Sequence, residues 1–257
     1  MNFFFRIIPV NNNCILILVI DIICIKFIYK VIFNAFIIMH KTVQNLLNIE
    51  NKIQANLDNL KIINQTKIIA VSKTFKMDKI LPLIKHGHVD YGENKVQEAV
   101  EKWTDVKANN SNIKLHLIGK LQTNKVKFAV KLFDYIHSVD SVKLAQKISD
   151  EALKINKKIK IFIQVNIGQE AQKSGINQDD LNNLVSFCKN INLDLIGLMC
   201  IPPLNSDPLI YFKRMSKLNQ NYGFVDLSMG MSSDYLIAAE NSATYLRIGS
   251  SIFGERS

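Results

Sequence analysis

The chain has 257 residues, 48% of them apolar and 21% charged, which is enough for one large core or two domains. Its net charge of +10 suits anionic metabolites or nucleic acid, but the lysines are scattered, with no arginine-rich block and no aromatic–basic interleaving, which argues against a nucleic-acid binder. The four cysteines (Cys14, Cys24, Cys188 and Cys200) form no C-x-x-C pair, so a reducing, cytoplasmic setting without a disulfide framework is expected. His86 and His88 have no nearby cysteine or acidic cluster and read as surface or turn histidines, not metal ligands.

Residues 1–38 form an apolar leader, dense in Ile, Phe, Leu and Val, and are set apart from residues 39–257. Three readings fit the leader. As a membrane anchor it is interrupted by Asp21, Lys26 and Lys30. As a secretory signal it has Arg6 and an apolar run but no A-x-A-like cleavage site. As translated upstream sequence it would place the true start at Met39, where amphipathic sequence begins. Membrane association is expected under the anchor reading alone, and would make the chain a tethered interaction protein.

After Met39 the pattern alternates. Val43, Leu46, Glu50, Ile53, Leu57 and Leu60 recur at three- and four-residue spacing and predict a helix over 42–62. Strands are predicted at 67–71, 88–91, 115–119, 135–139, 160–167, 195–201, 224–228 and 245–249. Helices are predicted between them at 78–86, 95–107, 122–132, 141–155, 178–190, 208–221 and 233–241. Asp207-Pro208 reads as an N-cap with proline at the first helical position, and Asn94 with Gln97 and Asn177 with Asp180 read as capping boxes. Eight strands joined by helices predict a single (β/α)8 TIM barrel, with the helix at 42–62 closing the outer ring and no helix after the last strand. A doubly wound sheet fits less well, because Ser72-Lys73-Thr74 replaces a glycine-rich loop after the first strand.

In such a barrel the chemistry collects at the C-terminal strand ends, with phosphate sites after strands seven and eight. Lys73 ends an apolar strand, where an unpaired ammonium is costly. Asn94, Asn166 and Met199 lie at or near later strand ends. Ser228-Met229-Gly230-Met231-Ser232 and Arg247-Ile248-Gly249-Ser250-Ser251 supply hydroxyls, glycines and an arginine suited to a phosphate. A strand-end lysine with a distant phosphate cradle suggests an aldehyde-bearing phosphate held as a Schiff base. Each residue also has an ordinary structural reading: Lys73 as a solvated loop residue, Arg247 as a carboxylate partner, Ser232 or Ser233 as an N-cap, His116 as a satisfied core histidine, and Met199, Met229 and Met231 as packing.

These segments, taken in order, resemble the pyridoxal phosphate homeostasis proteins. The matching pieces are Ala70-Val71-Ser72-Lys73-Thr74, Gly92-Glu93-Asn94 through Gln97-Glu98, His116-Leu117-Ile118-Gly119 with Leu121-Gln122 and Asn124-Lys125, and Val165-Asn166 with Lys173-Ser174-Gly175. They continue with Gly197-Leu198-Met199 and Ile201-Pro202, the Ser228 segment with Asp234, and Arg247-Ile248-Gly249 with Ile252-Phe253-Gly254. The likeness runs from about Met39 to Arg256 and leaves out the leader. Three positions depart from the family's pattern: Ser242 stands where a glycine is usual before the last strand, Lys120 replaces a small residue or proline, and Phe75 replaces a frequent lysine.

The resemblance implies a barrel of the alanine racemase N-terminal domain type, binding pyridoxal 5′-phosphate through Lys73. By the same likeness Ser228, Gly249 and Ser250 would hold the phosphate, with Arg247 near the pyridine nitrogen. The remaining site candidates are Asn94, Asn166, Met199, Met229, Gly230, Ser232 and Ile248. An arginine at the ring nitrogen weakens the ring as an electron sink, which suits a non-catalytic carrier that passes the cofactor to apo-enzymes. The rival readings are a racemase or decarboxylase and a class I aldolase-type barrel. Racemase chemistry needs a second-face acid from a separate β-domain, which this sequence is not expected to supply. A monomer is expected.

Overall fold

The computed structural model describes residues 5–10, 13–18, 39–170 and 174–255. Within the leader, β1 (Phe5–Val10) and β2 (Asn13–Leu18) pair antiparallel. The rest of the leader, on which the anchor, signal and false-start readings fall, lies outside the described residues. Among the described residues no helix is long and apolar enough to cross a membrane.

The body is a closed parallel barrel of eight strands: β3 (Lys67–Val71), β4 (Asp90–Glu93), β5 (Lys114–Leu117), β6 (Tyr135–Val139), β7 (Lys160–Gln164), β8 (Asp194–Met199), β9 (Asp226–Ser228) and β10 (Tyr245–Ile248). Neighbours in sequence are neighbours in the barrel, and β10 closes onto β3 through Leu246 beside Ile68 and Ile248 beside Ala70. The helices form the outer ring: α1 (Lys41–Leu60), α2 (Met77–His86), α3 (Val96–Ala108), α4 (Val126–Leu132), α5 (Val142–Lys154), α6 (Gln178–Asn190), α7 (Pro208–Asn221), α8 (Tyr235–Glu240) and α9 (Ser250–Phe253).

α1 buries Val43, Leu46, Ile49, Ile53 and Leu57, and the Asn45 side chain donates to the Ile252 carbonyl at 2.8 Å. It therefore closes the ring as the periodicity predicts, although Ile49 and not Glu50 faces the core and Leu60 is exposed. The short α9 corrects the expectation that no helix follows the last strand. Phe253, at its end, stacks on Phe75 at 5.0 Å, so the aromatic that replaces the family's lysine docks this helix. The predicted helix at 122–132 resolves into a 3-10 turn (Thr123–Lys125) followed by α4.

Three predicted caps meet the structure differently. Asp207 accepts from the Leu209 amide at 3.0 Å, as Asp-Pro predicts. Asn177 is an N-cap whose side chain makes no capping bond, and α3 starts after Lys95, not Asn94.

The strands alternate between two cores. Leu246 and Ile248 face the helices and join the large outer core, whereas Tyr245 faces inward with Ile69, Val71, Tyr135, Phe162 and Met199. The inner layer also holds buried Asp90, His116, His137, Ser228 and Arg247. Polar groups in such a place need partners, and these five supply them to one another.

Candidate functional site

A cavity of about 340 Å³ opens at the C-terminal ends of the strands. Its wall is built from Val71 at the end of β3 and Lys73 after it, Asn94 after β4, Ile118 after β5 and Ile201 after β8, with Met231, Ser232 and Ser233 after β9. Arg247, Gly249 and Ser250 at the end of β10 complete it. Among the described residues lining it two are cationic and none is acidic, so it suits an anion.

Lys73 is held through its neighbours. Ser72 Oγ donates to Glu93 Oε1 at 2.7 Å, and Lys102 Nζ donates to the Ser72 carbonyl at 2.9 Å. The same ammonium bridges Glu93 and Glu98, both at 3.0 Å, and Trp103 Nε1 donates to Glu93 at 2.9 Å. On the other side Thr74 sits at φ +67°, a left-handed conformation that is strained for a β-branched residue. Its amide donates to Glu98 Oε1 at 2.7 Å. Burial alone would raise the Glu98 carboxyl, but the Thr74 amide and Lys102 outweigh it and hold the group below its usual range. The backbone on both sides of Lys73 is thus pinned from outside the barrel.

Arg247 is held from inside. Nη1 donates to Ser228 Oγ at 2.7 Å and Nη2 to the Cys200 carbonyl at 2.8 Å. Ser228 Oγ lies 2.9 Å from His137 Nδ1, His137 Nε2 lies 2.9 Å from His116 Nδ1, and His116 Nε2 lies 3.0 Å from Asp90 Oδ1. Burial lowers both imidazoles, and for His137 the neighbouring positive charge adds to the effect, so both are neutral near pH 7. Burial also lowers Arg247 from its ordinary value, yet a guanidinium keeps its charge at neutral pH.

Beside Arg247, Ser232 Oγ accepts from the Gly249 amide at 3.3 Å and the Ser251 amide at 3.4 Å. It therefore does not cap α8, whose N-cap is Asp234, but sits as an oxygen against two backbone donors at the cavity wall. Asn94 reaches the cavity because Gly119 lets the two loops touch: a Cβ on Gly119 would fall 2.3 Å from the Asn94 carbonyl.

The structure brings together Lys73, Asn94, Ser232, Arg247, Gly249 and Ser250 from the twelve residues singled out in the sequence. Ser228 lies beneath the cavity, fully buried and bonded to Arg247 and His137. Met199 packs in the inner layer, while Met229 and Ile248 face the outer core. Gly230 turns at φ +88°, where its carbonyl accepts from the Arg247 amide at 2.9 Å. Asn166 shapes its own loop, donating to the Glu170 carbonyl at 2.9 Å. None of these six belongs to the cavity wall, and Lys173 lies outside the described residues. Sequence reading missed Asp90 and His137 altogether. Their signal was there to find: two polar side chains in strands that are otherwise buried need partners.

Residues 50–257 match the family described as "Alanine racemase, N-terminal domain". The pyridoxal phosphate homeostasis protein of Aquifex aeolicus is 37% identical over 203 residues, covering 75% of this chain and 88% of that one. The protein of the same name from Escherichia coli is 32% identical over 229 residues, covering 85% and 98%. The solved structure of PipY from Synechococcus elongatus with pyridoxal phosphate bound superposes with a TM-score of 0.70 at 31% identity, covering 79% of this chain and all of that one. An alanine racemase from Clostridium difficile superposes at 0.60 with 17% identity and shares the fold. On the identity and coverage of these relatives, the chain belongs to the pyridoxal phosphate homeostasis protein family, built on the alanine racemase N-terminal barrel.

Proposed function

We propose that this protein binds pyridoxal 5′-phosphate in the strand-end cavity, attached through Lys73, and holds it as a carrier without turning over a substrate. The observation that carries the reading is the wall itself. It places a strand-end lysine, a buried guanidinium and the Gly249 amide around one cavity whose described wall has no carboxylate.

When bound, the cofactor would supply a reactive aldehyde, a phosphate and a conjugated ring. Lys73 would provide the attacking amine, with its backbone fixed by Glu93, Glu98 and Lys102. Gly249, Ser250 and Ser232 would hold the phosphate, the amide now bonded to Ser232 Oγ being free to turn to a stronger acceptor. Arg247 would face the ring nitrogen as a fixed cation and keep it unprotonated, which disfavours carbanion chemistry. The polar groups on the described wall other than Lys73 are hydroxyls, an amide and a guanidinium, an outfit for holding and not for two-faced proton transfer.

Recipient apo-enzymes are the partners such a carrier would serve. We take residues 39–257 as the binding unit, with the leader outside it.

Absorbance of the purified protein, followed by borohydride reduction and peptide mapping, tests the reading. A phosphopyridoxyl group on Lys73 with no turnover of a panel of amino acids is the expected result. An unmodified Lys73 after incubation with the cofactor sinks the binding reading, and racemisation or decarboxylation at enzymatic rates sinks the carrier reading.

A further inference from the structure

The inner layer of the barrel holds a feature that cofactor binding alone does not account for. Five polar side chains from five different strands, Asp90, His116, His137, Ser228 and Arg247, are linked end to end by hydrogen bonds of 2.7–3.0 Å. Asp90, at one end, faces a second cavity of about 510 Å³ at the N-terminal ends of β3 and β4, shared with Glu50, Lys67 and His88. Arg247, at the other end, lines the strand-end cavity.

The direction of every hydrogen in this chain follows from its ends. Burial would raise the Asp90 carboxyl, but its bond to His116 holds it low, so it is an ionised group that can only accept. His116 must then carry its hydrogen on Nε2. A neutral ring has one N–H, so His116 Nδ1 accepts, and His137 must carry its hydrogen on Nε2. His137 Nδ1 accepts in turn, so the Ser228 hydroxyl donates to it, and the Ser228 oxygen accepts from Arg247 Nη1. With both rings neutral, all four bonds point from Arg247 toward Asp90, whereas a charged His116 would reverse the two bonds that His137 makes.

Ring packing fixes the imidazoles. His116 stacks on Tyr135 at 4.2 Å with Tyr245 at 5.6 Å, and His137 stacks on Phe162 at 4.3 Å. The charged groups acting on His116 are Asp90, Asp134 and Lys114; Arg247 acts on His137, and His88 and Lys114 act on Asp90.

We propose that Asp90, His116, His137 and Ser228 are positioning residues for Arg247, a one-way hydrogen-bond chain that aims its guanidinium at the cavity and couples it to the opposite mouth of the barrel. The proposal rests on the carrier reading in one respect, that Arg247 touches the bound ring. Ser228 thereby acts through Arg247 and not as a phosphate ligand.

The test uses the full chain labelled with 15N at histidine. Side-chain nitrogen shifts at pH 7 should show His116 and His137 as neutral rings protonated at Nε2. Asp90→Asn keeps the shape and removes the charge. It should shift the His137 nitrogens, two links away, move the absorption band of bound pyridoxal phosphate, and weaken its binding about fivefold. Ser228→Ala should show the same cofactor changes and Ser228→Thr should restore them. A merely structural role would lower the melting temperature and leave the His137 shifts and the band in place.

Hydrogen on Nδ1 of either ring in the unaltered protein, or an Asp90→Asn variant with unmoved His137 shifts and an unmoved band, overturns the proposal. Should the unaltered protein fail to bind pyridoxal phosphate, the carrier reading falls by itself, and the nitrogen shifts of the two proteins decide the chain.

Discussion

The two cations of the strand-end cavity are anchored in opposite ways. Lys73 is fixed through its backbone neighbours, from outside the barrel, by the carboxylates Glu93 and Glu98 and the ammonium of Lys102. Arg247 is fixed at its head group, from inside the barrel, by a hydroxyl, a carbonyl and two neutral imidazoles behind them. On the carrier reading proposed above, the contrast follows from what each is for. A nucleophile needs its main chain held so that its amine is presented to the cavity. A cation that acts by its field needs the charge itself held still, because electrostatic help is lost if the group must reorganise. Neutral imidazoles can aim a guanidinium without cancelling its charge, which a buried carboxylate at the same place would do.

The sharpest way to separate the two is Lys73→Ala. Borohydride trapping of pyridoxal phosphate at this position should vanish entirely, while Arg247 and the backbone donors retain some ligand non-covalently. Trapping at the unaltered level would show that the attachment point lies elsewhere.

The next effects compare the anchors. Lys102→Met strips the cation from buried Glu93 and should cost about 3–5 kcal/mol in urea unfolding. Trp103 and Ser72 would be left to carry the carboxylate alone. Arg247→Ala leaves Ser228 and the Cys200 carbonyl without their donor and should cost about 2–4 kcal/mol, besides weakening cofactor retention. If Arg247→Ala left affinity unchanged, the guanidinium would not be part of the binding site.

Acid should undo the Arg247 side first. His116 and His137 are wholly buried and held below the ordinary imidazole value of 6.5. Below that pH the unfolded chain takes up protons that the fold refuses, so stability is full above about 6.5 and falls as pH drops toward the folded values. Two such groups give a slope of about 2.7 kcal/mol per pH unit. On the Lys73 side Glu98 is held below its usual 4.5, so its contribution persists until well into the acid range. Urea midpoints at pH 7.5, 6.5 and 5.5 measure this, and a flat profile would mean that the imidazoles are already charged or hydrated in the fold.

Much of the barrel was legible because β-branched runs and helical periodicity repeat with little interruption. The errors have local causes. The pattern predicts a strand at 88–91, whereas β4 runs Asp90–Glu93 and takes in Gly92, a residue that disfavours strands. In the fold it is a close approach, since a Cβ there would lie 2.8 Å from Ile69 Cγ2. Helix α9 leaves no mark in the sequence because four residues carry no helical period. The cavity wall was half legible: Lys73, Arg247 and Gly249 announce themselves by residue type at strand ends, but inward or outward facing decides the rest. Ser228 and Ile248 sit in the right segments and point below or away from the cavity. The Asp90–Arg247 chain is legible only as polar residues in buried strands that need partners; which partners they find is not, because its members are scattered over five strands and meet only when the barrel closes.

The finest test of the contrast lies in two residues with nearly the same strained backbone, Thr74 at φ +67° and Ser242 at φ +69°. Ser242 occupies the turn between α8 and β10, and its departure from the family's glycine falls where a left-handed residue is required. Ser242→Gly should relieve that strain and raise stability by about 1 kcal/mol, with cofactor trapping unaltered, because nothing in the turn touches the cavity. Thr74→Gly relieves similar strain but also loosens the chain beside Lys73. The gain should be offset by backbone freedom, and the rate of borohydride-trappable adduct formation should fall about threefold, a rise of about 0.7 kcal/mol in the barrier. Equal behaviour of the two variants in the trapping assay would mean that the Glu98 clamp is ordinary structure. A slow Thr74→Gly beside an unaffected Ser242→Gly would show that the strain next to Lys73 is held in place to present the amine.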